Sequence, residues 1–476
     1  MIYFRRFVVL PLFMYLCRLT KTLLTMKFHH RLYIPAIILC AGSPGAMAQL
    51  SFQGNPLPAV TETPDASTGL KAVYVLHDML GVKASYTAAS ASSAISWKRF
   101  SQLGGGFAEE IPFTRQGNVT TVDLTSEDMG FIVEENGRQT CYYVISYANH
   151  PCTLSALDIA PERDCTSTAL TLHGSASRIS YYTVAGAARE LSRDLLLEYN
   201  TLAYSSDQER YIQSPGTMTL ASVNGAIHCP APLCDTEFHL SGDRFLRAWG
   251  MEQSVSSPSF ATNAIDAVTS ATQAERDVPN EQTSSAEGSS LGGSAPAEIT
   301  FRAAVTDAVV FREWQLARDD RFDLIDMRVN DDEFTYTFNE YGTTYARFVC
   351  GNADGSCDFT SETYTIYIGD SRLECPNAFS PNDDGVNDEW RVSYKSIIDF
   401  DCHIFNRWGQ EMAHLTDPSQ GWDGRYGGKV VPPGAYYYVI KAEGADGKKY
   451  KLSGDINIVG YSSRQGTAPS EPAPTE

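Results

Sequence analysis

Several residue groups in this chain have the types and spacing that chemistry requires. Gly288-Ser289-Ser290-Leu291-Gly292 fits the G-x-S-x-G spacing of a nucleophile elbow. There a serine hydroxyl attacks an acyl carbon from a strained strand-to-helix turn. The match lies in a low-complexity stretch with no sheet to hold such a turn, so it is set aside. His228, Cys229, Cys234 and His239 offer zinc-type donors, but C-x4-C-x4-H is no common zinc module, and a loop disulfide is the simpler reading. Gly104-Gly105-Gly106 lacks the Lys-Ser/Thr of a phosphate loop and reads as a turn, and no H-E-x-x-H is present. The strongest ligand-like spacing is Asn382, Asp384, Gly385 and Asp388, oxygen donors around a glycine that suggest a calcium loop. An EF-hand would need an acid at Ser380 and a glutamate at Arg391, so an Asx-rich turn capping a strand is preferred. No other cofactor is expected.

The elements around these groups read as all-β. The chain of 476 residues has 25 tyrosines and 22 phenylalanines in short alternating runs, as strands do. Its length calls for several domains. A first immunoglobulin-like sandwich is expected over 72–157, with Trp97 inward and a hairpin whose connection holds Asn136-Gly137. A second β-rich domain covers 159–250, with a short helix possible over 187–196. Residues 254–297 are rich in Ser, Thr, Ala, Glu and Gly and poor in aromatics, so a flexible linker is expected there. A third sandwich spans 299–369. Its strand-turn-strand from Phe334 to Cys350 resembles PKD domains, although their Trp-Asp-Phe-Gly-Asp-Gly is absent. Trp314 is expected on the earlier strand.

The last hundred residues hold four separated motifs. They are Pro376-Asn377-Ala378-Phe379-Ser380-Pro381-Asn382-Asp383-Asp384-Gly385-Val386-Asn387-Asp388, then Phe405-Asn406-Arg407-Trp408-Gly409, then Trp422-Asp423-Gly424, then Gly434-Ala435-Tyr436. In this order they resemble the gliding-motility-associated C-terminal domain, the type B sorting domain of the type IX secretion system. The resemblance covers 371–461, about a fifth of the chain, with a Pro- and Ser-rich tail over 462–476 expected to be disordered. It implies export across both membranes to the cell surface or medium, with the secretion machinery as partner. Trp408 and Trp422 are expected to pack and support turns, with a mixed role for Arg407.

An exported chain needs a leader. Met26-Lys27 and Arg31 precede an apolar stretch, Leu32 to Cys40, and Ala46-Met47-Ala48 supplies small residues for cleavage before Gln49. The preferred start is therefore Met26, since the earlier apolar run Phe7 to Leu16 is short for a membrane span. Formal charge is −20, and near −26 beyond Ala48, where 31 basic residues face 57 acidic ones; this argues against nucleic acid. Nine cysteines follow Ala48, and an exported chain favours disulfides. Local spacing suggests Cys229 with Cys234, Cys350 with Cys357 and Cys375 with Cys402, leaving Cys141, Cys152 and Cys165. The expectation is a non-enzymatic surface or adhesion protein with an unknown extracellular ligand. The alternatives are a secreted hydrolase and a part of the gliding or secretion apparatus.

Overall fold

The computed structural model describes residues 50–102, 107–161, 164–282 and 291–459. The leader, Gly104 to Gly106, Gly288 to Ser290 and the tail 462–476 lie outside the described residues. The fold is a series of immunoglobulin-like β-sandwiches, and among the described residues the single α-helix is the five-residue Arg244–Ala248.

The first sandwich shows why the apolar runs there are nearly continuous. Ala72–Leu76 is buried at every position and runs parallel to Arg138–Ser146, with Tyr142 opposite Ala72. One face of this sheet builds the internal core, where Trp97 meets Tyr86 and Phe131 edge-on and its indole N–H reaches Thr120. The other face, with Val73, Val75, Tyr143 and Ile145, joins a second core containing Tyr181, Leu195, Leu197 and Phe245. A strand covered on both sides loses the alternation of a half-exposed one. Met129–Glu135 and Arg138–Ser146 form the expected hairpin, with Asn136 at φ 49° and Gly137 at φ 80° in its two-residue turn.

The second sandwich holds Thr153–Ile159, Ser167–Ser175 and Ala226–Pro230 in one sheet, and Arg210–Leu220, Leu195–Ser205, His239–Gly242 and Gln253–Ser256 in the other. The short helix considered over 187–196 is absent. Ala188–Leu191 pairs with Ile179–Tyr182 instead, and Asp194 at φ 47° turns the chain into the eleven-residue strand Leu195–Ser205. Between them Arg193 is buried. Its guanidinium meets Asp243, which also accepts from Tyr147 Oη at 2.9 Å, and donates to His150 O at 2.7 Å. Those contacts tie the first sandwich to the second, and a helix would turn Arg193 away from them.

The third sandwich corrects the linker expectation. Ala267–Gln273 pairs with Ala297–Val305 over seven residue pairs, from Ala267 opposite Val305 to Gln273 opposite Ile299. Small side chains suffice because the core beneath is filled by Phe301, Trp314, Phe334 and Phe348 from neighbouring strands. The chain then runs along the C-terminal module. Asn280 Nδ2 donates to Val392 O at 2.7 Å and Pro418 O at 2.8 Å, Gln282 N to Tyr394 O at 2.7 Å, and Val278 packs on that module's core. Backbone hydrogen bonds and burial therefore hold most of a stretch whose composition suggested a free tether.

The disulfide pairing is also corrected. Cys357 bonds Cys165, 192 residues away, while Cys350 faces the core as a free thiol. Cys229, Cys234, Cys375 and Cys402 are free, as are Cys141 and Cys152. Sequence spacing favours chain neighbours, but alternation along Gly342–Asn352 points Cys350 inward, and the chain folds Cys165 beside Cys357 with Cα atoms 5.6 Å apart.

Candidate functional site

The C-terminal module is a five-stranded sheet ordered Ala378–Phe379, Lys449–Ile458, Gly434–Gly444, Ile397–Phe405 and Glu411–Leu415. Three of the four motifs converge at one of its ends. Trp422 is buried between Phe379 and Tyr436, with ring centroids 5.5 and 5.2 Å away, and its indole N–H reaches Arg425 O. Tyr436 donates its hydroxyl to Pro432 O at 2.9 Å. Gly424, at φ 69°, lies under Phe379 and Pro381, where an added Cβ would come within 3.0 Å of the proline ring. Gly434, at φ 146°, opens the strand carrying Tyr436. Asn377 O accepts from Asn457 N at 2.9 Å, and Pro376 O from Trp390 Nε1 at 2.7 Å. Trp390 is fully buried and exchanges both backbone hydrogen bonds with Trp422. Sequence reading passed over Trp390; the apolar alternation of Trp390, Val392 and Tyr394 was the available signal.

The acidic loop is satisfied by its own backbone. Asp388 Oδ1 accepts from the amides of Asn382 at 3.0 Å and Asp383 at 2.7 Å, and Oδ2 accepts from Gly385 N at 2.7 Å. Asp384 accepts from Val386 N and from Asn382 Nδ2, and Asn387 O accepts from Ser380 N. Desolvation pushes the Asp388 carboxyl up, but the donated amides of Gly385, Asn382, Asp383 and Asp384 outweigh it and hold it below its ordinary value. The oxygens considered for calcium are thus engaged as Asx-turn acceptors.

The remaining motif stands apart. Asn406 Oδ1 accepts from Trp408 N and Gln410 N, each at 3.0 Å, and Gly409 takes φ 80° to close the turn. Phe405 ends the strand before it, half-buried. The turn holds Trp408 out, 75 % exposed, with the Arg407 guanidinium 4.3 Å from its ring centroid. Packing was expected for both tryptophans, and the structure corrects it for Trp408, because the two-residue tip projects beyond the sheet. Beneath it is an open groove of about 440 Å³, lined by Arg407, Trp408, Met412, Tyr426, Lys429 and the Pro432-Pro433 wall. Aromatic, apolar and cationic groups here face solvent together. Asp423 is exposed beside Arg425, whose amide it accepts at 3.0 Å.

The other candidate chemistry does not assemble. Leu291–Gly293, the end of the elbow-like sequence, is a strand parallel to Tyr364–Ile368. His239 is held by Ser256 Oγ at 2.7 Å, and Cys229 is buried with its thiol toward Thr168 O. Burial pushes the Cys229 thiol up to about 11 and those of Cys350 and Cys402 up to about 12, which suppresses the nucleophilic thiolate.

Residues 373–458 match the CHU_C type IX secretion signal domain, and residues 158–257 match a fibronectin type III domain. The chain therefore carries a type IX sorting signal with an immunoglobulin-like domain upstream. No curated protein matches. Among solved structures, a tetra-tandem repeat from the extending region of a large adhesion protein is 10 % identical, covering 80 % of this chain and 97 % of its own, at TM-score 0.21. The chicken CNTN1 FN1–FN3 domains are 13 % identical, covering 65 % and 99 %, at TM-score 0.20. Fibronectin(III)-like modules of Clostridium thermocellum CbhA are 11 % identical, covering 39 % and 97 %, at TM-score 0.17. Among the described residues no helix is long and apolar enough to cross a membrane. The chain thus joins a fibronectin type III domain, set among immunoglobulin-like β-sandwiches, to a C-terminal sorting signal for type IX secretion.

Proposed function

We propose that the chain is a non-catalytic cargo of type IX secretion, delivered to the cell surface or medium, whose upstream sandwiches bind a ligand or act as spacers there. The single observation that carries this reading is the match of residues 373–458 to the secretion signal domain. The three converging motifs build the wall of that module, and Arg407, Trp408 and the groove below them are its contact with the machinery. An exposed aromatic stacked with a cation is the kind of group that anchors interfaces. The buried thiols and the fibronectin match upstream support a binding or spacing role over a hydrolytic one.

The test compares the cellular distribution of the wild-type chain with a form truncated after Gly369 and with Trp408→Ala. Truncation also strips the partners of Asn280, Gln282 and Val278, so the point variant separates recognition from folding. Full export of a folded Trp408→Ala chain would remove the assignment of this contact, and full export of the truncated form would remove the sorting role.

A further inference from the structure

Four polar side chains on the outer face of the same module form a cluster that the sorting role does not use. His403 and His414 are direct cross-strand partners on Ile397–Phe405 and Glu411–Leu415. Asp401 lies two positions before His403, so it shares the same face of the sheet. The two imidazoles stack with centroids 4.1 Å apart and planes within 8°. Both Nε2 atoms lie near one oxygen, Asp401 Oδ1, at 3.2 Å from His403 and hydrogen-bonded at 2.6 Å to His414. Among the described residues Asp401 pairs with no lysine or arginine, though Lys441 sits opposite it on the next strand. On the far side of His403, Nδ1 contacts Glu411 Oε2 at 3.0 Å.

That last contact orients the His403 ring. Glu411 is an acceptor, so His403 donates from Nδ1 and keeps Nε2 on the side of Asp401. That Nε2 lies 3.2 Å from the carboxylate oxygen that His414 Nε2 also meets, so two imidazole nitrogens and one carboxylate oxygen gather in one place. A carboxylate holding one imidazole nitrogen while the other faces a third ligand is the arrangement that orients metal-binding histidines. Tetrahedral zinc places its N and O ligands about 3.3 Å from one another, given bonds of about 2.0–2.2 Å. The three donor atoms here all lie within 4.8 Å of one another, so a splay of the stacked rings that turns both nitrogens toward one point closes the site. Their exposure, between 33 % and 43 %, leaves a fourth position for water. Two imidazoles and a carboxylate suit zinc and its neighbours rather than calcium or magnesium.

We infer that Asp401, His403 and His414 form a binding site for a divalent transition ion of the zinc class, with Glu411 orienting His403. The ion clips together the two strands whose connecting turn presents Arg407 and Trp408. The inference is independent of export, and its test is done on purified protein.

The untagged full chain, stripped with chelator, is titrated with zinc chloride by calorimetry, and bound metal is counted by elemental analysis. Cobalt substitution supplies a visible spectrum that reports tetrahedral geometry. The expected result is one saturable site per chain. Glu411→Gln weakens it by about 10–100-fold, and His403→Ala or His414→Ala by more. His173→Ala, at an exposed histidine paired with Asp158 in the second sandwich, leaves it unchanged. Circular dichroism verifies folding, and His403→Gln and His414→Gln replace either alanine variant that fails to fold. Absence of saturable binding, or binding that survives both histidine substitutions, overturns the site.

Discussion

Trp422 and Trp408 sit in equally recognisable motifs of one small module, yet the fold treats them oppositely. Trp422 is 3 % exposed, wedged between Phe379 and Tyr436 and lashed by its backbone to Trp390. Trp408 is 75 % exposed, held out by a turn whose hydrogen bonds come from Asn406. The difference lies in what surrounds each indole. Trp422 is followed by Gly424, which lets Phe379 and Pro381 close over the chain, whereas Trp408 is flanked by Arg407 and Gly409 at a hairpin tip with no neighbouring strand to cover it. A tryptophan in a motif is thus a structural or a surface residue according to whether the chain brings a lid.

Substitution should separate the two regions sharply. Trp422→Ala and Trp390→Ala each remove a large buried ring and should cost about 3–5 kcal/mol, measured as a fall in the denaturant midpoint of the full chain. Asn280→Ala tests whether the strap from the third sandwich supports this core. It loses two hydrogen bonds to backbone oxygens, an expected cost of about 1–3 kcal/mol. An unchanged midpoint would return that stretch to the status of a tether.

The acidic loop lies between these extremes, and its behaviour is set by pH. The Asp388 carboxyl is held below its ordinary value in the folded chain. Its contribution is therefore fully present above the unfolded carboxylate pKa of about 3.9 and fades as pH falls through the lower folded value. Asp388→Asn should lower the melting temperature at neutral pH and flatten its decline in acid; a variant whose acid profile matches wild type would show that the amide cage contributes nothing. The smallest stability effect belongs to the exposed side: Trp408→Ala should lie within about 0.5 kcal/mol of wild type.

Much of this was legible in the residues. Alternation placed the strands around Trp97 and Phe334, Asn136-Gly137 placed a hairpin turn, and the ordered C-terminal motifs pointed to the sorting signal. What escaped was decided by tertiary contact. Ala267–Gln273 has the composition of a tether, and it becomes a strand because Ala297–Val305 offers seven partners beside an aromatic core. Arg193 lies within a segment that could be helical, and burial against Asp243 fixes it otherwise. Cys165 and Cys357 meet only because distant sandwiches adjoin. The cluster at Asp401, His403 and His414 needed the strand register, since sequence alone leaves a gap of eleven positions between its histidines.

The most direct test of the central claim is the distribution of Trp408→Ala between periplasm and exterior, scored beside wild type and beside Trp422→Ala, with the folded state of each verified by protease resistance. The account predicts a folded Trp408→Ala chain retained in the periplasm and a Trp422→Ala chain that is destabilised and more readily cleaved by protease. A folded Trp408→Ala chain exported as efficiently as wild type would contradict it.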